Sequence, residues 1–245
     1  MVTPGWDRGP DHSRLSVLGG RLGHMPLVTY KDLCLDANDV PVAEGFWSRT
    51  LGLNGEIGDD GDAVLRGDDP SQTIWINLVS EAKTVKNRVH LDIHASSLEP
   101  FAGLEQVTGD GEFPWTTFLD PEGNECCVFV GDETPGLKDV VVDAVDHGGI
   151  SDWWAEVWGG SLTHGDGYSY IEAIPNAPFD IDFVPVPEPK TVKNRIHWDV
   201  TLNEGVTVGD LVAAGAVLLR APDEQIRWTV MADPEGNEFC VFAPK

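Results

Sequence analysis

An α+β fold built twice in one chain is what the sequence predicts. Three observations predict it: a long internal repeat, a strand with alternating polar and apolar residues, and an amphipathic helix at the matching place in each half.

The repeat carries the most weight. Lys83 to Ile93 reads KTVKNRVHLDI and Lys190 to Val200 reads KTVKNRIHWDV, with eight of eleven positions identical. Asp120 to Phe129 reads DPEGNECCVF and Asp233 to Phe242 reads DPEGNEFCVF, with nine of ten identical. The two motifs keep their order, 37 residues apart in the first half and 43 in the second. Upstream, KDLCLDANDV from Lys31 overlies KDVVVDAVDH from Lys138 at an offset of 107, and Trp47 and Gly52 overlie Trp154 and Gly159. So long a period predicts two domains rather than a solenoid of short repeats. The expected division is an N-terminal extension over 1–25, a first domain over 26–133 and a second over 134–245, joined in a polar stretch near 131–136.

Within each unit the elements follow in order. Residues 32–36 and 140–142 read as strands. A helix follows, capped by Asp39 with Pro41 in its first turn. In the second copy Ile150, Trp153, Trp154, Val157 and Trp158 fall at helical spacing on one apolar face. Gly52 and Gly159 stop these helices. Turns rich in Gly and Asp then separate short strands up to 73–79. The second cycle opens with Arg88, His90, Asp92 and His94 alternating with Val89, Leu91, Ile93 and Ala95. That is a strand with one polar and one apolar face. A helix comes next, clearer in the second copy where Val208, Leu211 and Val212 line one side, and strands flank the DPEGNE turn. The pattern is helices on one face of antiparallel sheet.

Composition narrows function. The chain has 41 acidic and 16 basic residues, a net charge of −25. Such a surface repels phosphate backbones and anionic lipid, which argues against nucleic-acid and membrane partners. No apolar run reaches the roughly 20 residues of a membrane-spanning helix, and residues 1–24 lack the apolar centre of a signal peptide. The four cysteines form no C-x-x-C pair and two are adjacent, which points to reduced thiols in a cytoplasmic protein.

A strand carrying His, a D-P-E-G-N turn near the C-terminus and an FW…LG helix end near the start together resemble the glyoxalase/bleomycin-resistance/dioxygenase (vicinal oxygen chelate) superfamily. More narrowly, KTVKNR-[VI]-H-x-D with DPEGNEFCVF resembles its glyoxalase-like domains. The likeness covers nearly the whole chain, about 26–130 and 136–245. It implies tandem domains of paired βαβββ modules curled around a concave pocket, and a small-molecule ligand. It implies that the two domains pair within the chain. It also implies a wide functional range, from metal-dependent isomerases, lyases and dioxygenases to metal-free drug-binding proteins, so the fold alone does not give the function.

The resemblance places metal ligands on four strands. The first-strand position falls on Asp32 and Asp139, and the fourth-strand position near Trp75 or Asn77 and near Asp182 or Val184. The fifth-strand position falls on His90 and His197, and the last on Cys127 and Cys240. Only the histidine matches the usual His/Glu/His/Glu set. Cysteine stands where glutamate is expected, with Glu125 and Glu238 two residues earlier on the same strand face. The best metal set is therefore Asp139, Asp182, His197 and Glu238, and a divalent metal is possible but not favoured. The expected pocket residues are Trp75, Asn77, His90, Asp92, Trp115, Asp182, His197, Asp199 and Trp228.

Each motif has a structural alternative. The histidines can be sheet residues oriented by Asp92 and Asp199. DPEGNE has the chemistry of a turn. The Lys and Arg of KTVKNR either meet an anionic substrate or pair with acids across the duplicated interface, and the second is the better reading. No base lies beside the cysteines in sequence, so nucleophilic catalysis is not expected and no catalytic residue is assigned. Binding of a small organic molecule, possibly without metal, stands ahead of the alternative, a metal-dependent lyase, isomerase or dioxygenase.

Overall fold

A computed structural model of the protein describes residues 25–244. The expected N-terminal extension, apart from Met25, lies outside the described residues. The first half contains β1 (Val28–Ala37), α1 (Val40–Leu51), β2 (Asn54–Ile57), β3 (Ala63–Arg66), β4 (Ile74–Leu78), β5 (Val89–Ala95), β6 (Thr116–Leu119) and β7 (Glu125–Val130). The second contains β8 (Gly136–Ala144), α2 (His147–Trp158), β9 (Ser161–Gly165), β10 (Tyr168–Glu172), β11 (Asp180–Pro185), β12 (Ile196–Leu202), α3 (Val208–Ala213), β13 (Val217–Arg220), β14 (Thr229–Ala232) and β15 (Glu238–Phe242).

The helices form where the sequence places them. Asp39 accepts a hydrogen bond from the Val42 amide at 3.2 Å, and Gly52 ends α1 in the left-handed conformation at φ 68°. Asp146 caps α2 through the Gly149 amide. The second-cycle helix is weaker than its pattern suggests. In α3 only Leu211 is buried, whereas Val212 is exposed. In the first half a single 3-10 turn, Glu99–Phe101, replaces it, with Pro100 at its start and Gly103 at φ 92° just after its end.

Two sheets result, with strand orders β13-β14-β15-β12-β1-β4-β3-β2 and β6-β7-β5-β8-β11-β10-β9. Each joins the N-terminal module of one half to the C-terminal module of the other. In the first sheet β1 pairs antiparallel with β12, and in the second β5 pairs antiparallel with β8. Apolar side chains such as Leu33, Leu35, Leu91, Ile93, Val140 and Trp198 face α1, α2 and one continuous core. The opposite faces of the strands are polar and concave.

The two repeated motifs are tied to each other. Lys83 and the Asn87 amide bind the two carboxylate oxygens of Glu125 at 3.0 and 3.1 Å, and Asn87 Nδ2 donates to Asn124 at 2.9 Å. Lys190, Asn194, Glu238 and Asn237 repeat this arrangement. The buried Asp233 accepts from the amides of Glu235 and Asn237, from Asn237 Nδ2, and from Trp154 Nε1 at 3.0 Å. Asp120 does the same in the first half, with Trp47 as its indole donor. DPEGNE is thus turn chemistry that also anchors a helix tryptophan to the sheet. The remaining KTVKNR cations cross the duplication: Lys86 pairs with Asp143, Lys193 with Asp36, and Arg195 with Glu122 at 3.1 Å. Arg88 bonds the Glu188 carbonyl and Arg195 the Glu81 carbonyl, and the two turns line an open cavity of about 360 Å³.

Replacing Asp233 by Ala strands four donors, three of them in buried hydrogen bonds. We expect a loss of about 3 kcal/mol or more of unfolding free energy, read from urea denaturation, with Asp233→Asn recovering part of it. A loss no larger than that of an exposed Asp59→Ala control would refute this role.

Candidate functional sites

Each concave face gathers its polar residues from four central strands, two from each half of the sequence. In the first site, register sets Asp32 of β1 opposite Asp199 of β12 and Cys34 opposite His197. Trp75 of β4 lies beside Cys34, and Cys240 of β15 beside Asp199. In the second site Asp92 of β5 faces Asp139 of β8, and His90 faces Val141. Asp182 of β11 neighbours Val141, and Cys127 of β7 neighbours Asp92. At these positions the sites correspond residue for residue, except that Cys34 is matched by Val141 and Trp75 by Asp182.

A β-bulge shapes both sites. The β1–β12 register passes from Tyr30 to Asp32, leaving Lys31 as the extra residue. The β5–β8 register passes from Leu137 to Asp139, leaving Lys138 extra. A bulge turns the added side chain out of strict alternation. Lys31 therefore reaches the concave face, bonds Asp32 and lies 3.5 Å from Asp199. Its ammonium sits 4.3 Å from the centre of the Phe242 ring, on which Trp228 stacks. Lys138 bonds Asp139 and sits 4.7 Å from the centre of the Phe129 ring, against which Trp115 packs. Sequence reasoning missed both lysines. The signal was present, a Lys-Asp pair at the same repeat position in each half.

The expected pocket residues divide between the two sites. Trp75, His197, Asp199 and Trp228 belong to the first, with Trp75 Nε1 donating to Asp32 at 3.2 Å. Asn77 lies further along β4 beside Asp36. His90, Asp92, Trp115 and Asp182 belong to the second. The suggested metal quartet does not converge. Asp139 and Asp182 lie in one sheet, His197 and Glu238 in the other. Module exchange separates them, and both oxygens of Glu238 are held by Lys190 and the Asn194 amide.

Burial governs the electrostatics. It holds His90 and His197 neutral, lowering each to about 3, with the charges of Lys86 and Lys193 adding to the effect. His90 Nε2 lies 3.6 Å from Asp92 and His197 Nε2 lies 3.7 Å from Cys240 Sγ, and neither Nδ1 has a hydrogen-bond partner among the described residues. Burial raises Asp199 to about 6 and pushes Asp92 well above the usual carboxylate range, where Asp139 and Asp182 add repulsion. The thiols of Cys34, Cys127 and Cys240 are likewise pushed up by burial. Burial opposes the two ammonium groups, but the neighbouring carboxylates outweigh it and raise both lysines.

Three sets of donors lie within 4.8 Å of one another: Cys34, His197 and Asp199; His90, Asp92 and Cys127; and Asp92, Asp139 and Asp182. Their chemistry does not fit the divalent ion that the fold family implies. The first-strand carboxylate of each site already holds a lysine ammonium. The last-strand position presents a protonated thiol, and Glu125 and Glu238 are engaged elsewhere.

A tandem α+β chain with two concave polar sites is the class these features define. The family model for the glyoxalase-like domain matches residues 32–129 and 139–242, and the chain belongs to that family. No curated protein matches the chain. Among solved structures, glyoxalase I from Zea mays is similar at TM-score 0.58 and 12% identity, covering 87% of this chain and 92% of that one. The cppA protein from Streptococcus pneumoniae is similar at TM-score 0.52 and 11% identity, covering 89% and 99%. Both likenesses concern the fold.

The buried histidines give stability a pH dependence of definite sign. Each takes up a proton near 6.5 in the unfolded chain but only near 3 in the folded one. Between these values the unfolded state binds more protons, so folding weakens as pH falls from 6.5. The limit is about 1.4 kcal/mol per pH unit per histidine. Asp199 and Asp233, raised to about 6, act in the opposite sense between about 4 and 6. Replacing both histidines by Gln should therefore make the protein more stable at pH 5 than at pH 6.5. Urea midpoints at the two pH values measure this, and an unchanged acid-side loss would sink the assignment.

Proposed function

We propose that this chain binds small organic molecules at its two concave sites, and that a lysine ammonium rather than a divalent metal is the cation resident in each. The observation that carries the proposal is the bulge that delivers Lys31 and Lys138 onto buried carboxylates at equivalent positions. Evidence of use, not only of folding, comes from the surroundings. A buried ion pair is a costly way to stabilise a sheet, yet each site keeps one beside aromatic rings and a neutral imidazole. Such a mixture of flat apolar surface and few polar groups suits an aromatic ligand with hydrogen-bonding oxygens. Raised thiols and unassisted histidines supply no activated nucleophile, which supports binding over covalent catalysis. Four free, buried cysteines support a reducing compartment such as the cytoplasm.

Catechol, a flat ring with two hydrogen-bonding oxygens, is the test probe. It should quench tryptophan fluorescence saturably in protein purified without added metal, and EDTA should not alter the titration. Lys31→Met with Lys138→Met should abolish the quenching while near-UV circular dichroism shows the fold retained, and the paired Arg variants should restore it. Stoichiometric zinc, manganese, nickel or iron that is lost on replacing His90 and His197 by Ala would overturn the proposal.

A further inference from the structure

We infer that the cavity between the two KTVKNR turns is an anion site, built for a small dicarboxylate whose two ends meet equivalent donors from the two halves. None of its lining residues belongs to a concave floor, and the inference is independent of what binds there.

Positive charge gathers here against the trend of the chain, whose net charge is −25. Five of the sixteen basic residues line the cavity: Lys83, Lys86 and Arg88 from one turn, Lys193 and Arg195 from the other. The acids that line it are Asp36 and Glu81. The other carboxylates paired with these cations, Glu122, Glu125, Asp143 and Glu235, do not line it. An occupant therefore meets five cations and two carboxylates directly, and the balancing charges stand further off, where their pull is weaker.

The ion pairs leave donors over. An ammonium group has three N–H bonds. Lys86 uses two, on Asp143 and the Asn87 carbonyl, and Lys193 uses two, on Asp36 and the Asn194 carbonyl. These two side chains are 39% and 56% exposed, so the third N–H of each is within reach of a ligand. The guanidinium groups of Arg88 and Arg195 hold carbonyls and carboxylates through their terminal nitrogens. Both of their Nε–H groups are buried without an acceptor among the described residues, and Arg195 is only 8% exposed. A buried donor without an acceptor is costly. An oxyanion supplies the acceptor, and the charge on these side chains strengthens the bond.

The duplication sets the shape of the ligand. Lys86 and Arg88 hold the same places in the repeat as Lys193 and Arg195. Each turn thus offers the same two donors to one cavity, and two like sets of donors suit a ligand with two like ends. A lone carboxylate would leave one set unused, whereas a cavity of about 360 Å³ admits a short chain between two.

Titration calorimetry of the intact chain with succinate, acetate and the neutral succinamide, at constant ionic strength, tests this. We expect one equivalent of succinate, bound at least about tenfold more tightly than acetate, and no binding of the diamide. Lys86→Gln with Asp143→Asn, combined with Lys193→Gln with Asp36→Asn, keeps each pair able to hydrogen-bond but removes both spare ammonium donors. That quadruple variant should bind succinate at least about tenfold more weakly, and an exposed Arg66→Gln should not. Catechol quenching should be unchanged in the quadruple variant, and succinate binding unchanged in Lys31→Met with Lys138→Met, which separates this site from the concave floors. Equal affinity for succinate and acetate in the unaltered chain overturns the inference, whether or not the quadruple variant folds. So does undiminished succinate affinity in the folded quadruple variant, or its loss in Lys31→Met with Lys138→Met.

Discussion

The antiparallel pairing of β1 with β12 and of β5 with β8 is the contact on which everything else depends. Without it, each module would present a central strand as an open edge, with its backbone donors and acceptors unpaired. With it, Asp32 is opposed to Asp199 and Asp92 to Asp139. Neither half of the sequence owns a site. The first half supplies β1 and β4 to one and β5 and β7 to the other, and the second half does the reverse. The polar floor is therefore assembled only when both halves have folded onto each other.

The motifs legible in the sequence are those that hold this frame. Asp39, Pro41 and Gly52 act locally, and local rules find them. The alternation of Val89, Leu91 and Ile93 with His90 and Asp92 is equally local, and it separates core from concave face. The exchange of modules is not legible, because two nearly identical KTVKNR strands permit either partner and only side-chain packing over the whole chain selects one. The bulge is not legible for a different reason. Strict alternation puts Lys31 and Asp32 on opposite faces, and one inserted residue brings them together. Glu238 shows a third limit. Alternation puts it on the same strand face as Cys240, but its two oxygens are taken by Lys190 and Asn194, more than forty residues away in sequence.

Desolvation then decides what those side chains can do. A buried imidazole that stays neutral to about pH 3 can accept one hydrogen bond and donate one but does not readily carry a second proton. A thiol raised by burial is a weak nucleophile. The lysine is the exception, since its carboxylate partners keep it charged despite burial. Among the described residues, the lasting positive charge on each floor is thus an ammonium held by the chain itself. This makes the site's chemistry one of hydrogen bonds and ring contacts.

Duplication within one chain also explains how two such sites can part ways. The residues that stay identical between the halves, KTVKNR and DPEGNE, form the clasp that holds β5 beside β7 and β12 beside β15. Changing them would disturb a sheet and, through Trp47 or Trp154, a helix. The residues that differ, Trp75 against Asp182 and Cys34 against Val141, lie on the concave floor where no such clasp passes. Each belongs to one site alone, although its half of the chain serves both. A substitution at Asp182 can therefore alter the charge of one floor without touching the frame that the two share. The strong sequence identity of the motifs is a property of that frame, and the difference between the two floors is written in the few positions it leaves free.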